Sequence, residues 1–169
     1  MNELTPARFQ EPALVSERQA DQQSDQGYET TILTAGRQSI ERAITMLRLV
    51  AGQLNDNFVS ACRLIFACRG RIVVAGIGKS GHVGNKIAST LASTGTPAVF
   101  VHPNEASHGD LGMITKDDIV LILSNSGASR ELNDLIAYLK RFAIKMIAIT
   151  ADSGSLLGEN ADLILQLPP

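Results

Sequence analysis

The sequence predicts an α/β fold with a doubly wound, five-stranded parallel sheet flanked by helices. Short apolar runs rich in branched residues alternate along the chain with segments of helical periodicity. Nearly continuous apolar runs of this length are typical of strands that are buried on both faces. The predicted strands are Ile72–Ala75, Ala98–Val101, Ile119–Leu123, Met146–Thr150 and Leu163–Leu167.

Two helices are predicted ahead of the first strand. Apolar residues recur every three or four positions from Ile40 to Leu54, and the pattern resumes from Phe58 to Phe66. Residues 1–35 are largely polar and weakly periodic, so we expect a poorly ordered tail there. Residues 36–169 are then expected to form one domain.

Composition excludes several classes of partner. The 169 residues carry 15 basic and 17 acidic side chains, a net charge of -2, without the basic stripe that nucleic acids or anionic membranes require. The chain has neither a signal peptide pattern nor an apolar run of the ~20 residues that span a bilayer. Cys62 and Cys68 lie in an apolar helical segment, where we expect both to be packed in the core. These features favour a cytoplasmic protein.

A glycine-rich turn follows the first predicted strand. Gly76–Gly81 matches the pattern GxGxxG and contains Lys79 and Ser80. Glycines let the backbone approach a ligand closely, and the first N–H groups of the next helix favour an anion such as phosphate. Dinucleotide binding would need an acid at the end of the second strand, where Val101 and His102 stand, and a nucleotide triphosphate loop would need glycine at Val73. A purely structural tight turn stays an alternative.

A second polar turn follows the third predicted strand. Ser124, Asn125, Ser126, Gly127 and Ser129 offer hydroxyls and free N–H groups. Ser129 is placed to cap a helix that starts near residue 130, so these serines are alternatively turn and cap formers. Ligands in parallel sheets bind beyond the carboxyl ends of the strands, and both turns lie there. We therefore expect the two turns to form one phosphate site.

A polar loop between the turns carries His102 and His108, with Glu105 and Asp110 nearby. Histidine exchanges protons near neutral pH, and a carboxylate can orient it. A metal site from His82, His102 and His108 is conceivable, but zinc-like spacing is missing, so no metal is assigned.

Three motifs taken together resemble the SIS (sugar isomerase) domain of D-arabinose 5-phosphate isomerases. They are Gly-Ile-Gly-Lys-Ser-Gly-His at 76–82, Glu-Ala-Ser-His-Gly-Asp-Leu-Gly-Met at 105–113 and Ser-Asn-Ser-Gly at 124–127. The similarity runs from about Ile40 to Pro169. It implies a flavodoxin-like three-layer sandwich, a homo-oligomer that is a tetramer in the family, and chemistry that needs no cofactor.

The resemblance also implies a reaction and roles for particular residues. The family interconverts D-ribulose 5-phosphate and D-arabinose 5-phosphate through an enediolate, supplying Kdo for lipopolysaccharide or capsule. The matching catalytic residues are Lys79, His108 and Glu131. The phosphate would be held by Ser80, Ser124, Asn125, Ser126, Gly127 and Ser129.

The chain departs from the family pattern at two places. Family members usually have Gly-Glu-Ser after the Ser-Asn-Ser, whereas this chain has Gly127-Ala128-Ser129. The chain stops at Pro169, before the family's later motifs and its CBS domains, so the SIS domain is expected to be incomplete at its C-terminus. The alternative function is a non-catalytic, sugar-phosphate-binding regulatory module.

Overall fold

The computed structural model describes residues 13–107 and 109–168. The chain divides into two compact units, Met1–Leu47 and Arg48–Pro169. In the described ranges, no helix is both long enough and apolar enough to cross a membrane.

The first helix begins earlier than the sequence analysis predicted. Helix α1 spans Ala13–Gln53, so residues 13–35 are helical rather than part of a poorly ordered tail, and residues 1–12 lie outside the described ranges. Residues 13–35 include four glutamines, three alanines and two glutamates and contain no proline. Because these residues favour the helix without an apolar stripe, periodicity gave no sign of it.

Five parallel strands form one sheet in the order β2-β1-β3-β4-β5. This confirms the predicted fold class and the position of every predicted strand. The chain order reverses direction between β1 and β3, and ligands bind at such a switch point in open α/β sheets. The strands are β1 Ile72–Gly76, β2 Ala98–Val101, β3 Ile119–Leu123, β4 Lys145–Thr150 and β5 Leu163–Gln166.

Helices connect the strands, and their starts follow local sequence. Helix α2 begins after Asn55, whose side chain accepts a hydrogen bond from the Asn57 N–H and caps the helix. Short 3-10 turns cover Asp110–Met113 and Arg130–Leu132. The helices after α1 are α2 Asp56–Phe66, α3 Lys79–Ser93, α4 Pro103–Ser107, α5 Asn133–Arg141 and α6 Leu156–Asn160.

The core lies on both faces of the sheet. Val73 and Ala75 of β1 pack in one buried cluster, which includes Leu135 of α5, whereas the alternate residues Ile72 and Val74 pack in the other. This alternation follows from the two-residue period of a strand. It explains why β1 reads as a continuous apolar run.

The expectation that both cysteines are core residues is wrong for Cys62. Ala61 is the buried residue of α2, and Cys62 is exposed because it lies about 100° further around the helix. Cys68 is partly buried, and its thiol donates to the carbonyl oxygens of Arg71 and Asp117.

Candidate functional site

The two polar turns meet at the switch point of the sheet. Gly76, the last residue of β1, is paired with Leu123, the last residue of β3, so the turns that follow lie side by side. They enclose a cavity of about 250 Å³. Its walls are Ile77, Ser80, Leu123, Ser124, Asn125, Ser126, Ser129 and Leu132.

The structure therefore brings together five of the six residues that the sequence predicts to hold a phosphate. The sixth, Gly127, is buried and does not line the cavity. Its backbone instead shapes the turn. The binding role of all six stays a prediction.

Glycines bring the start of α3 close to the end of β1. Gly78 precedes the helix with φ +56°, a conformation that favours glycine, and no side chain caps the helix there. A Cβ on Gly81 would lie 2.8 Å from the carbonyl oxygen of Gly76. The N–H groups of Gly81 and His82 donate to the carbonyl oxygens of Ile77 and Gly78, which leaves those of Lys79 and Ser80 for an anion at this end of α3.

In the second turn, two serine hydroxyls accept hydrogen bonds from the turn itself. Ser124 Oγ accepts from the N–H of Gly127 at 3.1 Å, and Ser126 Oγ accepts from the N–H of Ala128 at 3.4 Å. A hydroxyl has one proton to donate in addition to its acceptor sites. Within the described ranges neither serine donates that proton to a protein group, so both are available to a ligand oxygen.

Ser129 differs from its predicted capping role. It does precede the short 3-10 helix Arg130–Leu132, but its side chain makes no capping hydrogen bond. Three residues of 3-10 helix give a capping side chain few N–H groups to reach, and Ser129 instead lines the cavity. Its hydroxyl is thus placed with those of Ser124 and Ser126.

Lys79 and Glu131 flank the cavity without lining it. Lys79 is the first residue of α3 and Glu131 lies in the 3-10 helix, and both are exposed. Each is adjacent in sequence to a residue that does line the cavity, Ser80 or Leu132. His108, the third predicted catalytic residue, lies outside the described ranges.

Two of the three histidines lie beside the first turn. His82 and His102 line a cavity of about 220 Å³ together with Asn85, and the N–H of Asn104 donates to His102 Nδ1 at 3.3 Å. His108, the third member of the conceivable metal site, is outside the described part. Within that part, no three His, Cys, Asp or Glu side chains converge to hold a metal ion.

Two residues that were not predicted from the sequence pack against the second turn. Thr150 ends β4, and Ser155 precedes α6; both are buried. Thr150 is the last residue of a predicted strand, next to the edge of the sheet where both turns lie, and no other feature of the sequence indicated its role. No glycine-rich motif follows β4, so the sequence did not indicate Ser155 either.

Comparisons with known proteins identify the family of this chain. The family model for the SIS domain matches residues 65–169. Arabinose 5-phosphate isomerase KdsD of Pseudomonas aeruginosa is 58% identical over 113 residues, which are 67% of this chain and 35% of the relative. Its namesake from Yersinia pestis is 53% identical over 131 residues, 78% of this chain and 40% of the relative. The chain thus spans only about a third to two fifths of these relatives.

A solved structure from E. coli CFT073 in complex with arabinose 5-phosphate has 39% sequence identity and a TM-score of 0.67, covering 73% of this chain and 67% of that one. The family model covers more than half of the chain, and the match begins within α2 and includes both turns. The chain therefore belongs to the SIS domain family, with arabinose 5-phosphate isomerases among its relatives.

Proposed function

We propose that the chain carries the phosphate-binding part of an aldose-ketose isomerase that interconverts D-ribulose 5-phosphate and D-arabinose 5-phosphate. The observation that carries the proposal is the cavity at the switch point, where both turns present hydroxyl and N–H groups. Relatives with 53–58% identity are named for this isomerase activity.

The phosphate is expected to bind in the cavity and to anchor the sugar. Ser80, Ser124, Ser126 and Ser129 donate hydroxyl protons, and the starts of α3 and of the 3-10 helix contribute N–H groups. Binding energy from this remote group positions the reacting carbons, which makes proton transfer effectively intramolecular.

The reaction moves one proton between neighbouring carbons. A base removes the proton from the carbon beside the carbonyl, and the bonding electrons form a carbon–carbon double bond while the carbonyl oxygen becomes negative. The Lys79 ammonium is the candidate to stabilise that oxygen. Glu131 is the candidate base, which returns the proton to the former carbonyl carbon. His108 is assigned to proton transfer between the oxygens, or to ring opening.

Three finer features follow from the resemblance and belong to this proposal. The product would enter Kdo synthesis for lipopolysaccharide or capsule, the assembly would be a homotetramer, and the protein would reside in the cytoplasm. Two free cysteines fit a reducing compartment.

The test is isomerisation of D-arabinose 5-phosphate to D-ribulose 5-phosphate, followed by a colour assay for the ketose. Lys79→Ala is expected to lower kcat by about 10² or more, because a charge beside the developing oxyanion is lost. Lys86→Ala, on the same helix and also exposed, is the matched control and should keep its activity. Equal activity in all three proteins would contradict the role of Lys79.

A non-catalytic sugar-phosphate sensor is the second candidate. It is favoured by one observation: the cavity walls are serines, asparagine and apolar residues, whereas Lys79 and Glu131 stand outside them. A sensor needs the phosphate contacts and no base. Binding of D-arabinose 5-phosphate without any turnover, in the chain and in a longer form that continues past Pro169, would favour this function.

A further inference from the structure

We propose that Thr150 is a positioning residue for the phosphate turn, because it holds the Asn125 carbonyl away from the bound anion. The inference rests on the proposed phosphate site and adds a residue that no motif indicates. Thr150 is fully buried at the end of β4, below the second turn. It does not line the cavity.

The Asn125 carbonyl oxygen is held by two donors at the end of β4. It accepts a hydrogen bond from the N–H of Ala151 at 3.0 Å and lies 3.2 Å from Thr150 Oγ1. Thr150 Oγ1 also accepts from the N–H of Asp152 at 3.2 Å, which leaves its single proton for an acceptor. The Asp152 carbonyl, at 3.4 Å, is the more distant of the two acceptors in reach.

The peptide group that carries the Asn125 carbonyl also carries the N–H of Ser126. In a trans peptide the C=O and N–H point in opposite directions. Because the Asn125 carbonyl points to Thr150 of β4, the N–H of Ser126 on the same peptide points away from β4, and Ser126 lines the cavity. If this peptide turned over, a carbonyl oxygen would face the phosphate in place of an N–H donor.

A second carbonyl of the turn is tied back in the same way. The Gly127 carbonyl oxygen accepts from the N–H of Leu157 at 3.1 Å, and the N–H of Ala128 on the same peptide donates to Ser126 Oγ. The end of β4 and the residues that follow it, through Leu157 of α6, therefore hold two carbonyls of the turn. The N–H of Ser126 and the hydroxyl protons of Ser124 and Ser126 remain for the cavity.

Packing leaves little freedom for another arrangement. A Cβ on Gly127 would lie 1.9 Å from Ser155 Oγ and 3.1 Å from Thr150 Oγ1. Ser155 is itself fixed, since its hydroxyl donates to the Asp152 carbonyl at 2.6 Å and accepts from the N–H of Gly158 at 3.2 Å. Of these two hydroxyls, the Thr150 hydroxyl is thus the one that donates to a carbonyl of the turn.

The experiment replaces the Thr150 hydroxyl while keeping the side-chain shape. Calorimetry measures the Kd of D-arabinose 5-phosphate and of inorganic phosphate for the wild type, Thr150→Val and Thr150→Ser. We expect Thr150→Val to raise both Kd values by about three- to tenfold, the loss of one hydrogen bond. Thr150→Ser keeps the donor and is expected to stay within about twofold of the wild type.

Ile147→Val is the matched control for lost core packing. Ile147 is fully buried three residues before Thr150 on β4, and it packs in the core cluster that contains Ile72 and Val74. It should lower the melting temperature and leave both Kd values unchanged. If Thr150→Val unfolds, Thr150→Ala takes its place, with the same comparison to Thr150→Ser.

Unchanged Kd values in a folded Thr150→Val protein, or equal losses in the valine and serine variants, would overturn the inference. Failure of the proposed function has a different pattern. If the wild type binds inorganic phosphate and the sugar phosphate but does not isomerise the latter, the isomerase proposal fails while the Kd comparison still decides the role of Thr150. If the wild type binds neither ligand, both proposals are overturned.

Discussion

The carbonyl oxygen of Gly76 and the α-carbon of Gly81 are in such close contact that a Cβ on Gly81 would lie 2.8 Å from that oxygen. The neighbour is backbone at the end of β1, so it cannot turn aside as a side chain would. This contact presses the first turn of α3 against the strand and places its N–H groups beside the cavity.

Gly81→Ala is expected to destabilise the protein by about 1–3 kcal/mol, the usual cost of forcing an extra carbon into a packed site. Urea unfolding measures this change. Gly52→Ala is the control, because Gly52 is also helical but a Cβ there meets nothing within 4 Å. It should stabilise the helix by up to about 1 kcal/mol, and a similar gain for Gly81→Ala would contradict the contact.

Gly127→Ala should be more damaging than Gly78→Ala. Both glycines have positive φ, +61° and +56°, so alanine carries a backbone cost at either position. Only at Gly127 would the new Cβ also collide with Ser155 Oγ, whereas at Gly78 it meets nothing within 4 Å. Urea unfolding measures the free energy of unfolding of both variants. A loss at Gly127 no larger than the loss at Gly78 would contradict the collision with Ser155.

Ser124→Ala and Ser126→Ala are expected to separate stability from binding. Ser124 is buried and accepts from the N–H of Gly127, so its loss leaves that donor unpaired and costs about 1–3 kcal/mol of stability. Ser126 is exposed and should cost less than about 0.5 kcal/mol. Both variants should weaken phosphate binding. Thermal unfolding beside calorimetry gives the comparison, with Ser89→Ala on the exposed face of α3 as control.

Asp162→Asn should reduce stability at neutral pH and not in acid. Burial raises the pKa of Asp162, but a hydrogen bond from Lys145, one from the Met146 N–H and the charges of Lys145 and Lys140 together lower it below its usual value. A carboxylate whose pKa is lowered by folding adds stability above the unfolded pKa of about 3.9, and this is lost as pH falls through the folded value.

The contribution is modest because Lys145 and Asp162 are both partly exposed. Melting temperatures of the wild type and Asp162→Asn are therefore expected to differ at pH 7 and to converge as the pH falls through the folded pKa of Asp162. A difference that persists undiminished in acid would assign it to packing instead of charge.

The strands were predictable because a strand that is buried on both faces is apolar at nearly every position. Predicted and observed strand ends differ by at most one residue, as at Gly76 and Lys145. The start of α1 was not predictable from periodicity, since residues 13–35 have helical propensity without an apolar face. Cys62 is exposed because of the face of α2 on which it lies, and a short apolar stretch of sequence does not determine which face of a helix is buried.

The meeting of the two turns was predictable, since topology places the ends of parallel strands at one edge. The support from Thr150 and Ser155 was not, because it depends on contacts between segments about 25 residues apart in sequence that carry no motif. Ser129 shows a further limit, since a residue in the cap position need not use its side chain as a cap.

The most direct test of the central claim, that two turns form one phosphate site, is calorimetric titration of the wild type with D-arabinose 5-phosphate and with D-arabinose. We expect measurable binding of the phosphorylated sugar, a Kd at least about tenfold weaker for the unphosphorylated one, and loss of that preference in the double variant Ser124→Ala, Ser126→Ala. Equal affinity for both sugars, or a preference that survives in the double variant, would contradict it.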